Sequence, residues 1–326
     1  MNALERSWYQ RFGWSWLLLP LSALFYLLSG MRRLAFRCGL ARTTRLPVPV
    51  IVVGNITVGG TGKTPLTLWL CQRLQQQGWR PGIISRGYGV KLTTPKLVQP
   101  TGQARDFGDE PLLLAQRSGC PVVVYPNRVQ AGQFLLAQTD CDLIICDDGL
   151  QHYALARDLE IILLDAKRGV GNGLLLPAGP LREGCWRLQT PAWVLANGGP
   201  LAQTKRFFTL KPAVAEHVFA PELTLPAGSE VTLVSGIGNP ERFADTVRAC
   251  GYRVTACHWF ADHYPFQPAD FASITGPILM TEKDAVKCRS FAKADWYVLP
   301  VNAEFPPDIE QQLLQHIAAL RSADGI

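Results

Sequence analysis

Short apolar runs rich in Val and Ile alternate with helical patterns from Pro49 onward. This alternation predicts an α/β fold with a mostly parallel sheet flanked by helices. A first helix is predicted at about residues 64–77, because Pro65 lies in its opening turn and Gly78 lies just past its end. The runs that predict strands of this first unit are 50–53, 82–85, 121–125, 142–146, 159–164 and 192–196.

A second, smaller α/β unit is predicted after about residue 215. The segment 198–228, in which this second unit begins, has no long periodic run and contains several prolines. The domain boundary is therefore placed there. The predicted organisation is an N-terminal segment at 1–45, a first domain at 46–212 and a smaller C-terminal domain at 213–326. Strands of the second unit are predicted near 231–235, 252–257, 277–281 and 295–299, and its helices near 239–249 and 308–321.

The segment from Trp14 to Met31 has no charged residue and is apolar on all sides. A helix of this length measures about 27 Å, close to the ~30 Å hydrocarbon core of a bilayer. Aromatic residues cluster at its start and arginines follow its end, which suits a headgroup region and a cytoplasmic side. These flanking residues are Trp8, Tyr9, Trp14 and Trp16, then Arg32, Arg33, Arg37, Arg42 and Arg45. We predict a membrane anchor that spans or half-inserts, with a buried core helix as the alternative. A secretory signal is disfavoured because no small-residue cleavage site is evident.

The net charge of +6 is confined to the N-terminus. Residues 1–45 contain seven arginines, Arg11 among them, and one acid, Glu5, so the rest of the chain balances to zero. This distribution argues against nucleic-acid binding by a basic face. The nine cysteines have no Cys-x-x-Cys spacing, which favours free thiols in a reducing compartment. The chain length and its hydrophobic content of 48% predict one large or two ordinary globular domains.

The stretch from Ile51 to Thr64 is an apolar strand, a glycine-rich turn and Gly-Lys-Thr at a helix start. Backbone N–H groups, a helix N-terminus and the Lys63 ammonium together bind a polyphosphate such as that of ATP, which predicts a P-loop-type fold. The usual pattern has glycine six residues before the lysine, where this chain has Thr57. The alternative is a glycine-rich turn of any α/β protein. The candidate ATP-binding residues are Thr57, Val58, Gly59, Gly60, Thr61, Gly62, Lys63 and Thr64.

Acidic residues lie at the end of one predicted strand and at the start of one predicted helix. Asp147 and Asp148 end the strand at 142–146, where phosphate-loop enzymes hold Mg²⁺, although both acids could only cap the next turn. Asp109 opens a helix predicted at 110–118. It is either a helix cap or an acid that accepts a proton from an attacking hydroxyl group.

Polar segments also follow other strands. Arg182, in a proline-containing loop, could bind phosphate in bidentate fashion. His263 is either structural or catalytic. Residues 281–284, Thr-Glu-Lys-Asp, either cap a helix or contact a nucleotide. The sequence has no His and Cys cluster with metal-ligand spacing and no Gly-x-Ser-x-Gly motif.

Several segments together resemble the tetraacyldisaccharide 4′-kinase family of lipid A biosynthesis. Thr57 is shared with that family, so the departure from the general loop pattern supports the resemblance. The matching segments cover nearly the whole chain. They are VVGNITVGGTGKTP (52–65), SRGYG (85–89), GDEP (108–111), DDGLQHYALARD (147–158), LPAGPLRE (176–183), ADH (261–263) and MTEKDAVKCR (280–289).

The resemblance implies a two-domain, membrane-associated kinase that uses ATP and Mg²⁺. It transfers the γ-phosphoryl group to the 4′-hydroxyl of tetraacyldisaccharide 1-phosphate on the cytoplasmic face of the bacterial inner membrane. The implied partners are the acylated disaccharide lipid and inner-membrane lipid, with no nucleic acid and no obligate protein partner evident.

The resemblance also implies roles for individual residues. The implied catalytic residues are Asp109 as general base, His263 as its partner, and Lys63, which contacts the phosphates. The implied metal ligands are Thr64, Asp147 and Asp148. The residues implied to surround the active site are Tyr88, Arg182 and Glu183.

Two other functions are compatible with a phosphate loop. The main rival is a membrane-tethered nucleotide switch or regulator. A guanine-specific switch carries an Asn-Lys-x-Asp segment, whereas the strand end at 196–199 reads Ala-Asn-Gly-Gly. A transporter-coupled ATPase subunit is disfavoured by the single apolar segment.

Overall fold

The computed structural model describes residues 3–10, 12–190 and 192–323, so Arg11 of the basic N-terminal segment lies outside the described residues. The helices are α1 (Ala3–Ser7), α2 (Leu19–Arg37), α3 (Lys63–Gln76), α4 (Ala104–Phe107), α5 (Asp109–Ser118), α6 (Arg128–Gln138), α7 (Pro240–Ala249), α8 (Glu282–Cys288) and α9 (Pro307–Ala323). The strands are β1 (Val50–Asn55), β2 (Pro81–Ser85), β3 (Lys96–Leu97), β4 (Val122–Val124), β5 (Leu143–Asp147), β6 (Leu159–Asp165), β7 (Trp193–Asn197), β8 (Phe207–Pro212), β9 (Glu216–His217), β10 (Glu230–Ser235), β11 (Arg253–Trp259), β12 (Ile278–Thr281), β13 (Trp296–Leu299) and β14 (Val301–Glu304).

The larger sheet has the order β14-β8-β7-β6-β1-β5-β2-β4-β3 and is parallel except at its two edges, where β14 and β3 are antiparallel. The chain leaves β1 toward β2 on one side and later returns to β6 on the other. Strand order therefore reverses at β1, which opens a crevice at the carboxyl edge where α/β sheets bind ligands. Val53 pairs with Asp147, so the loop after β1 and the acids after β5 emerge side by side.

Helices cover both faces of this sheet. Leu66, Leu70 and Leu74 recur every four residues along α3 and are fully buried against one face. Ala131 and Leu135 of α6 pack against the other face. Because both faces are covered, β1 is buried at every position, and its residues 50–53 form a continuous apolar run rather than an alternating one.

The smaller sheet has the order β11-β10-β12-β13-β9, with β9 as an antiparallel edge. After this sheet the chain returns to the larger one: β14 pairs with β8, and Leu313 and Ile317 of α9 are fully buried in the larger core. The division at residues 212 and 213 stays a prediction. The return of the last segment depends on contacts distant in sequence, which no local pattern indicates.

The apolar N-terminal segment forms a 3₁₀ turn, Trp14–Leu18, that continues into α2. Trp14–Arg37 is the one helical stretch of the described residues that is long and apolar enough to cross a membrane, and only 11% of its most apolar window is buried. That exposure argues against the core-helix alternative. Its large exposed side chains include Leu17, Leu21, Leu24, Tyr26, Leu27, Leu28, Met31 and Leu34.

Hydrogen bonds dock this segment on the loop after β6. Ser22 Oγ donates to the Leu175 carbonyl (2.8 Å) and accepts from the Ala178 N–H (2.9 Å). Trp8 Nε1 donates to the Pro177 carbonyl at 2.9 Å. The polar side chain of Ser22, in the apolar first half of the helix, therefore fixes α2 to the body of the protein.

Candidate active site

The glycine-rich loop between β1 and α3 is held from inside by Asn55. Its side-chain amide donates to the Thr57 carbonyl at 2.6 Å, and its amide oxygen accepts from Lys63 Nζ at 3.2 Å. Gly59 and Gly62 have φ values of +104° and +91°, a region that side chains with a Cβ rarely adopt. The glycines of this loop are therefore placed where the backbone turns.

Thr57 occupies extended backbone rather than a turn. It forms an isolated antiparallel bridge with Leu181, next to hydrogen bonds from the Arg182 N–H to the Ile56 carbonyl (2.6 Å) and from the Val58 N–H to the Pro180 carbonyl (2.9 Å). A β-bridge needs no positive φ, which explains why glycine is dispensable here. Because the Val58 N–H is already bonded, the phosphate-facing part of the loop begins at Gly59.

Two cations converge on Asp148. Lys63 Nζ lies 3.6 Å from its carboxylate and Arg182 Nη1 lies 3.3 Å from it. Burial raises the pKa of Asp148, but Lys63 and Arg182 outweigh it and hold the pKa below its ordinary value. The carboxylate is therefore charged, and it balances two cations beside the glycine-rich loop.

Asp147 is in a different environment. Its side chain is buried and accepts one hydrogen bond, from Ser85 Oγ at 3.3 Å, while its Oδ1 has no partner among the described residues. Burial, followed by the nearby charges of Glu110 and Asp148, raises its pKa to about 7. An unpartnered buried carboxylate oxygen beside the loop is a suitable ligand for a hard cation.

Asp109 begins α5, which packs on the larger sheet, and His263 lies in the loop that follows β11 of the smaller sheet; the two side chains meet in the cleft between the sheets. Nδ1 of His263 lies 2.9 Å from Oδ2 and 3.1 Å from Oδ1 of Asp109. Burial raises the pKa of Asp109. The hydrogen bond to His263 and the charge of Lys283 lower that pKa by more than burial raises it, so it lies below its ordinary value. The helix N-cap is Gly108, so Asp109 is the first helical residue and not the cap.

The hydrogen bond to Asp109 raises the pKa of His263 above its ordinary value, against opposing effects of burial and of Lys283. Tyr88 packs on the imidazole with ring centroids 4.8 Å apart. His263 has a φ of +60°, and Asp148 a φ of +48°; they are the two non-glycine residues in the left-handed region within the described part of the chain. Backbone strain of this kind concentrates at functional sites.

A cavity of about 1200 Å³ connects these groups. Most of the predicted site residues line it: Gly59, Gly60, Thr61, Gly62, Lys63, Thr64, Tyr88, Asp109, Asp147, Asp148, Arg182, Glu183 and His263. Thr57 and Val58 are not among the lining residues, because they pair with the neighbouring loop instead. One end of the cavity is formed by α2, through Phe25, Leu28, Arg32 and Arg33.

Some lining residues were not among the predicted site residues. Asn197 ends β7 and donates to the Thr61 carbonyl at 3.2 Å, and Arg242 reaches across from α7 to Asp165 at 2.8 Å. Lys283 contacts His263 from the start of α8. Lys283 belongs to the segment 281–284, which the sequence indicated as a helix cap or a nucleotide contact. The position of Asn197 at the end of β7 is the signal that could have indicated it, whereas Arg242 lies inside α7 and has no such signal.

The sequence is similar to one family over nearly its whole length. A family model described as "LpxK: Tetraacyldisaccharide-1-P 4'-kinase" matches residues 14–318. A tetraacyldisaccharide 4'-kinase of Shewanella oneidensis is 48% identical over 328 residues, which cover 99% of this chain and 98% of that protein. The protein of the same description from Tolumonas auensis is 46% identical over 326 residues, with coverage of 99% and 100%.

A solved structure is similar to the whole fold. The crystal structure of the "apo" form of LpxK from Aquifex aeolicus in complex with ATP matches with a TM-score of 0.79 and 28% sequence identity. The match covers 94% of this chain and 99% of that one.

Gly62→Ala tests the backbone of the loop. Its φ of +91° and a Cβ only 2.6 Å from Asn197 Nδ2 are both unfavourable. We expect the variant to lose about 1–3 kcal/mol of unfolding free energy, measured by urea denaturation without nucleotide. Gly60→Ala is the control, because a Cβ there meets nothing within 4 Å. Equal stability of the two variants would contradict the described loop conformation.

Proposed function

The chain belongs to the tetraacyldisaccharide-1-P 4'-kinase family, and from this premise we propose how its cavity carries out the phosphoryl transfer. The family predicted from the sequence is confirmed, as is the α/β fold class. The protein is an ATP-dependent kinase of lipid A biosynthesis that acts on a hydroxyl group. The observation that carries the proposal is the meeting of Asp109 and His263 in the same cavity as the phosphate loop.

The nucleotide phosphates are proposed to lie on the loop from Gly59 to Thr64. The N-terminus of α3, Lys63 and Arg182 supply positive charge there, and the latter two already face a carboxylate. In the nucleotide complex, phosphate oxygens compete with Asp148 for these cations. Charge neutralisation and alignment are the main requirements of phosphoryl transfer, because the protein forms no covalent intermediate.

The predicted Mg²⁺ fits the donors present. The described residues contain no group of three His, Cys, Asp or Glu side chains that could hold a metal, so a cage made only of protein is excluded for them. Mg²⁺ is commonly held by one or two carboxylates together with phosphates and waters. Asp147, whose Oδ1 lacks a partner, would hold it with Asp148 and Thr64. When bound, Mg²⁺ neutralises charge on the phosphates.

Asp109 is proposed to be the general base. Its carboxylate is charged at neutral pH and accepts from His263, which orients it toward the cavity. The 4′-oxygen of the sugar forms a bond to the γ-phosphorus, the bond from that phosphorus to the bridging oxygen of ADP breaks, and the hydroxyl proton passes to Asp109. A sugar hydroxyl is a weak nucleophile, so an oriented acceptor for its proton accelerates the step.

The acyl chains of the acceptor are proposed to lie along α2. Phe25 and Leu28 line the cavity, and the same helix also has exposed apolar side chains that do not line it, such as Leu24 and Leu27. A helix that lines the active site and inserts into a bilayer allows a lipid to enter from the membrane. Arg32 and Arg33 lie at its C-terminal end, which supports binding to anionic lipid at the cytoplasmic face of the inner membrane.

The nucleotide-switch alternative is not favoured. A switch needs no proton acceptor, yet Asp109 and His263 lie in the same cavity as the loop. A switch also needs no apolar helix as a wall of that cavity. Both features have a function in a lipid kinase.

Asp109→Asn tests the general base. The amide keeps the shape of the side chain but cannot take the hydroxyl proton, so turnover should fall by about 10²–10⁴-fold. Transfer of label from γ-labelled ATP to tetraacyldisaccharide 1-phosphate measures this loss, while nucleotide affinity should change little. Asp106→Asn, at an exposed position of α4, is the matched control and should retain normal turnover. Near-normal turnover of Asp109→Asn would refute the proposed role.

Replacing exposed apolar residues of α2 tests the anchor. Leu24 and Leu27 are 53% and 59% exposed, and the double variant Leu24→Glu/Leu27→Glu leaves Ser22 and its docking bonds intact. Each leucine contributes about 1.5–3 kcal/mol when it enters an apolar phase, so binding to anionic vesicles in co-sedimentation should weaken at least tenfold.

The matched control for the anchor is Val214→Glu/Leu223→Glu, two similarly exposed apolar positions outside α2. It should bind vesicles as the unmodified protein does. Equal binding by both double variants and the unmodified protein would contradict the assignment of α2 as the anchor.

A further inference from the structure

We propose that Lys283 is a positioning residue that fixes His263 as the neutral imidazole protonated on Nδ1. In this state His263 donates to Asp109 and keeps the base as an oriented carboxylate. The inference rests on the proposed role of Asp109, and it adds a third residue to the pair that the resemblance implies.

Lys283 lies in the first turn of α8 and reaches back to the dyad. Its Nζ is 3.2 Å from Nε2 of His263, 3.0 Å from Oε1 of Glu110 and 3.2 Å from Oδ1 of Asp262. Its side chain is only 18% exposed. If Nε2 of His263 acts as an acceptor, each of the three N–H donors of the ammonium has an acceptor.

This arrangement determines the tautomer of the ring. An ammonium group has only donors, so Nε2 must present its lone pair to Lys283. A neutral imidazole carries one proton, which then lies on Nδ1 and is donated to Asp109 at 2.9 Å. A doubly protonated ring would place an N–H and a positive charge against the ammonium at 3.2 Å.

The charged groups around His263 come from three elements. Asp109 contacts it from α5, Asp262 precedes it, and Lys283 contacts it from α8. Two further charges act through these groups: Glu110 pairs with Lys283, and Lys287 lowers the pKa of Asp109. The hydrogen bond to Asp109 raises the pKa of His263 and the charge of Lys283 lowers it, while the charge of Lys283 also lowers the pKa of Asp109.

Loss of Lys283 therefore has a defined sign. Without the ammonium, only burial still opposes the effect of the carboxylates on the pKa of His263, so the ring takes a second proton at higher pH than before. The pKa of Asp109 rises as well. A doubly protonated ring and a protonated Asp109 both reduce the fraction of competent enzyme. As pH is lowered, the variant should therefore lose activity at a higher pH than the unmodified protein does.

A purely structural function for Lys283 is distinguishable from this one. Arg117 of α5 also forms an ion pair with Glu282 of α8, so the same two helices are already joined by a contact that does not include His263. Arg117→Gln therefore removes an equivalent bridge without changing the ring. Lys283→Met removes the ammonium at similar length, and Lys283→Arg restores a cation that has donors only.

The first experiment is nitrogen NMR of the full chain with ¹⁵N-labelled histidine at about pH 7.5, where ring shifts distinguish the two neutral tautomers and the cation. His263 is assigned by the signal lost in His263→Gln. The unmodified protein should show a neutral ring protonated on Nδ1, and Lys283→Met a larger fraction of the cation. A ring protonated on Nε2, or a cation in the unmodified protein, would overturn the proposal, even if Lys283→Met does not fold.

The second experiment is the pH profile of kcat/KM. Lys283→Met should move the acid limb of the profile to higher pH by about one unit, which lowers kcat/KM about tenfold at the acid end. Lys283→Arg should restore most of the lost kcat/KM. Arg117→Gln should leave the limb unmoved. An unmoved limb in Lys283→Met, or an equal shift in Arg117→Gln, would overturn the proposal. Failure of the general-base role would appear separately: Asp109→Asn would have near-normal turnover, while the unmodified protein would still show His263 protonated on Nδ1.

Discussion

The hydrogen bond between Asp109 and His263 is the interaction on which the proposed site depends, because it joins the elements of the two sheets inside the cavity. Asp109 begins a helix packed on the larger sheet, and His263 lies in a loop of the smaller one. The larger sheet and its helices carry the glycine-rich loop and Asp109, whereas His263 belongs to the smaller sheet's unit, so neither unit alone has all three. With the roles proposed for Asp109 and His263, the cavity is complete only when the smaller sheet is docked, and the left-handed backbone of His263 is a local strain in that geometry.

A second connection joins the apolar helix α2 to the glycine-rich loop after β1. The loop at 175–182 accepts the hydrogen bond of Ser22 at one end and forms a bridge with Thr57 at the other. Arg182, at the end of this loop, reaches Asp148. A single short segment thus positions the apolar wall of the cavity, the edge of the phosphate loop and one of its cations. This explains why a residue as unusual as Thr57 is compatible with phosphate binding.

Local sequence patterns predicted the larger part of the fold. The continuous apolar run of β1 and the proline and glycine around α3 indicated both elements, since these signals depend on near neighbours. The strand β14 and the helix α9 could not be assigned to the larger sheet, because their partners lie far away in the chain. The pairing of Asp109 with His263 came from the resemblance alone, and Lys283 was seen only as part of a strand end. Contacts between sheets leave no periodic trace in the sequence.

A double-mutant cycle measures the central interaction most directly. The values needed are kcat/KM for the unmodified protein, Asp109→Asn, His263→Ala and the double variant, with the same lipid and ATP. If His263 acts through Asp109, the double variant should be about as impaired as Asp109→Asn alone, so the coupling free energy is large. Losses that multiply, as for two independent residues, would contradict the account.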